Sequence, residues 1–156
     1  MVHVRIATGA EQPINRDAAV SQIAGEEGDL VGMDANGDWV AADADSGVAQ
    51  KASGVLAAPV TDPSNYPHEE LRVIIESERE LVGENRISVV KYGIILENAD
   101  EDWGFTPGEP VYLAPGGGFT QTKPSAAGDL VQIVGEATDD GEALFLDVET
   151  GYEVVA

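Results

Sequence analysis

Along most of the chain, apolar and polar residues alternate in short runs, and Gly or Pro breaks the pattern every eight to twelve residues. Alternation at period two puts every second side chain on one face of an extended backbone, so it predicts strands. The candidate strands are Val2 to Ile6, Leu30 to Met33, Asp38 to Ala42, Ser53 to Ala58, Leu71 to Glu76, Ile87 to Tyr92, Val111 to Ala114, Phe119 to Thr122, Leu130 to Ala137, Ala143 to Asp147 and Tyr152 to Val155. Asn36-Gly37 is the strongest hairpin signal, because a type I′ turn needs positive φ at both central residues and Asn-Gly supplies it. Gly116-Gly117-Gly118 and Asp140-Gly141 mark two further turns. The expected fold is all-β: a compact small β-barrel or β-sandwich of short antiparallel strands. Residues 1–27 form an extended N-terminal arm or edge strand, and residues 28–156 form a single β domain.

Two features complicate this reading. From His68 to Leu81, Leu71, Ile74, Ile75 and Leu81 fall at near-helical spacing, while Leu71, Val73 and Ile75 alternate as in a strand. Both periods fit, and the neighbouring strands favour extended structure. The chain also carries an internal repeat, residues 28–58 against 108–137. An offset of 80 residues lays Gly28-Asp29-Leu30-Val31-Gly32-Met33 over Gly108-Glu109-Pro110-Val111-Tyr112-Leu113. Gly28-Asp29-Leu30-Val31 recurs verbatim as Gly128-Asp129-Leu130-Val131. Each copy reads as a turn feeding a strand, then a tight hairpin with an aromatic on its return limb. A chain with 18 glycines produces some such matches by chance.

Composition narrows the classes of function. The 156 residues hold 29 acids against 8 Lys plus Arg, a formal net charge of -21, yet 43% are hydrophobic. That is enough apolar material for a core, unlike a disordered acidic tail. Such a charge argues against nucleic acid and against an anionic membrane face as partners. Repulsion of this size is relieved in molar salt, where the Debye length shrinks to about 3 Å. With three lysines and acids spread from Glu11 to Glu153, the composition looks like that of a protein working in brine. No apolar run reaches signal-peptide or membrane-span length, so a soluble chain without a visible export signal is expected.

The sequence holds little chemistry. With no cysteine there are no disulfides, thiolate metal sites or cysteine nucleophiles. The two histidines, His3 and His68, stand in no catalytic motif, and pairs such as Asp43 and Asp45 are commonplace among so many acids. Asp34-Ala35-Asn36-Gly37-Asp38, with Asp45 in twelfth place, has the oxygens of a calcium loop. The sixth place needs Gly and holds Trp39, so a hairpin is the better reading. No catalytic, cofactor-binding or metal residues are therefore assigned, and no cofactor is expected. Trp103 and Phe105, two aromatics beside the acidic Asp100-Glu101-Asp102, suit either an interface contact or a plug folded onto the end of the β domain. Val2, Val4 and Ile6 suit either an arm that adds a strand to a neighbouring subunit or an ordinary first strand. These five are the candidate assembly contacts.

The run from Gly108-Glu109-Pro110-Val111-Tyr112-Leu113 through Gly116-Gly117-Gly118-Phe119, Gly128-Asp129-Leu130-Val131-Gln132-Ile133-Val134-Gly135-Glu136-Ala137 and Ala143-Leu144-Phe145-Leu146-Asp147 resembles small capsid decoration proteins of tailed viruses. The shared feature is a cadence of strand, glycine hairpin, strand and final apolar strand. With the acidic composition, it suggests a virus of haloarchaea. The resemblance implies a non-enzymatic virion protein, made in the host cytoplasm, on the outer capsid surface. Its partners would be the major capsid protein and copies of itself, a trimer being favoured. The alternatives are a turret or fibre-base subunit, or a small halophilic β-barrel hydrolase or sugar-binding domain.

Overall fold

The computed structural model describes residues 2–6, 14–17, 25–57, 86–98, 103–138 and 141–156. Their regular elements are all strands: β1 (Val2–Ile6), β2 (Ile14–Asp17), β3 (Leu30–Met33), β4 (Trp39–Ala41), β5 (Gly54–Leu56), β6 (Arg86–Val90), β7 (Tyr92–Asn98), β8 (Pro110–Leu113), β9 (Phe119–Thr120), β10 (Leu130–Val131), β11 (Ile133–Ala137), β12 (Ala143–Asp147) and β13 (Glu153–Val154). They form a five-stranded sheet in the order β2-β6-β5-β3-β4, a six-stranded sheet in the order β1-β7-β12-β11-β8-β9, and a ribbon of β10 with β13. All the strand pairs are antiparallel. Both larger sheets are open, and the fold is sandwich-like rather than a closed barrel.

One apolar core joins the two sheets. Leu30, Ala42, Val55 and Val90 from the five-stranded sheet and its loops cluster with Ile94, Leu96, Val111, Leu113, Val134, Leu144 and Leu146 from the six-stranded sheet. A smaller cluster of Val31, Trp39, Leu56 and Val89, with Met33 against it, lies on the other face of the five-stranded sheet. Gln132, 1% exposed, ties the halves together. Its Oε1 accepts from the Ala52 amide at 2.7 Å, and its Nε2 donates to the carbonyls of Ala52 at 2.8 Å and Glu149 at 2.7 Å. A buried amide side chain is tolerated when its polar atoms are paired in this way.

The two sheets are copies of one plan. The five strands β2, β3, β4, β5 and β6 stand in the same spatial order as β7, β8, β9, β11 and β12. Met33 faces Trp39 as Leu113 faces Phe119, and Val31 faces Gly54 as Val111 faces Gly135. The offset of 80 residues becomes 81 after a bulge between Ile133 and Gly135. The entry turns repeat as well. Asp29 donates to the Glu26 carbonyl, Glu109 to Thr106 and Asp129 to Ala126, at 3.1, 3.3 and 3.0 Å. The third residue of each turn is a glycine with φ near 80 to 90°, the left-handed place of a type II turn, and Pro107 takes the second place in one of them. Gly28, Gly108 and Gly128 then donate to Leu56, Ala137 and Val155, whose amides return bonds to Asp29, Glu109 and Asp129.

Several expectations change. Val2–Ile6 pairs with β7 of its own sheet, from Val2 opposite Asn98 to Ile6 opposite Ile94, so it is an edge strand and not a free arm. Residues 1–27 thus supply an edge strand to each sheet, since β2 pairs with β6. β2 carries one apolar residue in Ile14-Asn15-Arg16-Asp17 and so shows no alternation. The predicted strand ending at Tyr92 is two strands, and β7 runs on to Asn98. β7 lies between β1 and β12, and its run Ile94-Ile95-Leu96 hides the period of two. Predicted Leu130 to Ala137 breaks at Gln132 into β10 and β11. The Asn36-Gly37 hairpin forms, but not as type I′: Gly37 has φ 86°, while Ala49 is the one non-glycine with positive φ among the described residues. Gly37 donates to the Asp34 carbonyl at 3.1 Å, closing a turn whose last residue takes the left-handed conformation. The candidate strand Leu71 to Glu76 and the segment 68–81 lie outside the described residues.

Candidate functional site

Trp103 and Phe105 sit in the segment that leads into β8. Their rings stack with centroids 5.2 Å apart and 20° between planes, and Trp103 also meets Phe119 of β9 at 5.5 Å. All three rings are partly buried against the main core. The segment is pinned on both sides. Phe105 donates its amide to the Gly141 carbonyl at 3.2 Å. Gln121 accepts from the Thr106 amide at 2.7 Å and donates back to its carbonyl at 2.9 Å.

Beside these rings lies a cleft of about 390 Å³, lined in part by Asp29, Asp43, Trp103, Gly117 and Phe119. Its two lining carboxylates, Asp29 and Asp43, hold backbone, as do Asp45 and Asp129 in the adjoining loops; Asp29 Oδ2 accepts from the Glu26 amide at 2.9 Å. Asp43 Oδ1 accepts from the amides of Asp45 and Gly116, both at 2.8 Å, which clips the glycine hairpin of the second copy to a loop of the first. Asp45 Oδ1 takes the Gly47 amide at 2.7 Å, and buried Asp129 takes the Ser46 amide at 3.1 Å. In the stretch weighed as a calcium loop, Asp34 Oδ1 accepts from the amides of Asn36 at 2.8 Å and Asp38 at 3.0 Å. Such turns use short acidic side chains as local backbone acceptors. Among the described residues, no group of three or more His, Asp or Glu is placed to hold a metal ion.

The five sequence candidates do not share a surface. Val2, Val4 and Ile6 belong to β1 at one edge of the six-stranded sheet, while Trp103 packs on Phe119 of β9 at the opposite edge. The side of this sheet away from the core carries a feature the sequence reading passed over. Phe145 is 51% exposed there, between buried Leu144 and Leu146. An aromatic in the polar phase of an alternating strand was the available signal. Comparison with protein families, with curated proteins and with solved structures returned no match to this chain.

Proposed function

We propose that the protein is a non-enzymatic structural component of a virion, binding the outer surface of an icosahedral capsid and stabilising it. Its partners on this reading are the major capsid protein and further copies of itself, with a trimer favoured and the acids facing brine. The observation that carries the reading is the use made of polar side chains. Gln132, Asp43, Asp45 and Asp129 are bonded to backbone amides or carbonyls, often across the two copies, which supports a role built on rigidity. The stretch that resembles decoration proteins, Gly108 to Asp147, supplies the adjacent strands β9, β8, β11 and β12 of one sheet, a stiff slab suited to bridging neighbouring subunits.

The test is a binding experiment on capsid shells stripped of accessory proteins. The purified chain should bind at a fixed ratio per capsid subunit and raise the temperature at which shells lose their contents. Shells that gain neither bound protein nor thermal resistance in molar salt would refute the proposal. A hydrolase or sugar-binding domain would instead appear as turnover or glycan retention without shell binding.

A further inference from the structure

The third entry turn opens a third, shorter copy of the same plan. Gly128-Asp129-Leu130-Val131 repeats Gly28-Asp29-Leu30-Val31, and β13 stands beside β10 as β5 stands beside β3 and β11 beside β8. The pairs match place by place: Leu130 faces Val154 as Leu30 faces Val55 and Pro110 faces Glu136. On their far sides β5 is covered by β6 and β11 by β12, whereas β13 has no neighbouring strand there among the described residues. The backbone shows the same gap. Val155 turns its amide to the Asp129 carbonyl and its carbonyl to the Gly128 amide. By alternation the amide and carbonyl of Val154 point away from β10, to the open side, where no described strand takes them.

Side chains show what is missing. In the first copy Leu30, Val55 and Val90 form a row across three strands, buried at 4, 0 and 2% exposure. In the third, the row starts at Leu130, 4% exposed, and stops at Val154, 58% exposed, with Tyr152 at 49% two places before it. The place beyond β5 and β11 holds an apolar residue in both, Val90 and Phe145. A second copy of this chain supplies one there by symmetry. With β13 antiparallel to its own copy and Val154 opposite Val154, the two valines exchange amide-to-carbonyl bonds, and the row reads Leu130, Val154, Val154, Leu130 across four strands. Glu153 then opposes Val155 of the other copy. Sliding the register so that Tyr152 faces Val154 would set Glu153 directly against Glu153, which like charges disfavour. Lys123 and Glu149 line the grooves alongside β13 together with Glu153, so both signs are present and charge neither drives nor bars the contact. Backbone bonds and the apolar row select the partner. Glu153 stands where β5 and β11 have Gly54 and Gly135, whose missing Cβ admits a close approach by the next strand, so the added strand pairs at ordinary sheet spacing.

We infer that the open edge of β13, centred on Val154, is an interaction surface, and that its partner is a second copy of this chain, added as an antiparallel strand across a two-fold axis. This contact is independent of the capsid reading, and a two-fold pair is distinct from the trimer favoured there. The test is the mass of the full chain in 2 M KCl by sedimentation velocity, from about 10 μM to about 1 mM, because short interfaces associate weakly. Wild type should form a two-chain species toward the upper end of that range. Val154→Asp should associate at least tenfold more weakly; Val154 is exposed, so this variant should keep the wild-type melting transition, and circular dichroism checks it. The chain has no cysteine of its own, so Val154→Cys should cross-link to itself on oxidation, while Val48→Cys, at a place 65% exposed in the first copy's loop, should not. A monomer up to 1 mM, a three-chain species in place of a pair, or a pair that folded Val154→Asp leaves intact would each overturn the contact, as would equal cross-linking at the two places. A monomeric wild type that Glu153→Val converts to a pair would also overturn it, and would show that the carboxylate keeps strands off this edge.

Discussion

Replacing Gln132 with Leu keeps most of the side-chain volume and removes every polar atom that joins the two copies at this point. Three groups lose a partner: the Ala52 amide, the Ala52 carbonyl and the Glu149 carbonyl, bonded at 2.7, 2.8 and 2.7 Å. Gln132 and Ala52 are 1 and 3% exposed, so water cannot reach the two Ala52 groups without opening the core, whereas the Glu149 carbonyl is only part-buried. A buried polar group left unpaired costs about 1–3 kcal/mol, and the leucine recovers part of this by no longer burying an amide. The net loss is about 3–5 kcal/mol, a large share of the roughly 5–15 kcal/mol that holds a typical domain together. For a chain of this size that corresponds to a fall in Tm of roughly 10 °C. The assay is thermal and urea unfolding in 2 M KCl, following far-UV circular dichroism. A second variant sharpens it: Gln132→Glu keeps an acceptor for the Ala52 amide but aims carboxylate oxygens at two carbonyls. Burial raises the pKa of that introduced carboxyl, so the defect is fully present well above the raised value. It should shrink as pH falls through it, because the protonated acid regains a donor. A Leu variant melting within about 2 °C of wild type would show that the staple is dispensable, since 1 kcal/mol already moves Tm by more.

Three further outcomes are expected. Stability should rise steeply between roughly 0.1 and 2 M KCl as screening relieves the repulsion among the acids, and a flat Tm across that range would remove the brine reading. Gly54→Ala and Gly135→Ala should each cost about 2 kcal/mol or more, because the added methyl meets backbone of the next strand, whereas Gly37→Ala, with open space around its Cβ, should cost about 1 kcal/mol for its left-handed backbone alone; denaturant midpoints give the ranking. Trp103→Ala should lose about 2 kcal/mol from ring stacking and partial burial, and should flatten the near-UV circular dichroism; an unchanged midpoint would mean that the aromatic triplet is idle in the fold.

Legibility in the sequence followed the local physics. Ala143–Asp147 is legible to the residue because Leu144 and Leu146 face the core while Phe145 and Asp147 face out; Leu30–Met33 is covered on both faces and is legible because turns at Gly28 and Gly37 bound a short apolar run. β7 was lost because a strand flanked on both sides and apolar over three consecutive residues has no visible period. β2 was lost for the opposite reason, one isoleucine among polar residues at a sheet edge. Asn36-Gly37 marked the right place and the wrong turn: the Asp34 carboxylate takes two loop amides, leaving positive φ to Gly37 alone. The candidate contacts Trp103 and Phe105 were legible as aromatics in an acidic setting, but their union with Phe119 depends on a partner on another strand.

The shared plan of the two sheets also orders the differences between them. Equivalent places with the same surroundings kept the same chemistry: Gly54 and Gly135 both lie under a neighbouring carbonyl, and Gly37 and Gly117 share φ 86°. Places whose surroundings differ parted company. Val55, inside the core, corresponds to Glu136 where the sheet faces outward, and a buried valine is worth about 1.5–3 kcal/mol in a core and nothing in water. Phe145 departs from that logic: it takes the place that Val90 has in the other sheet, lies on the outward side, and is still apolar. Solvation alone gives no reason for an aromatic there, in a chain with so many acids to choose from.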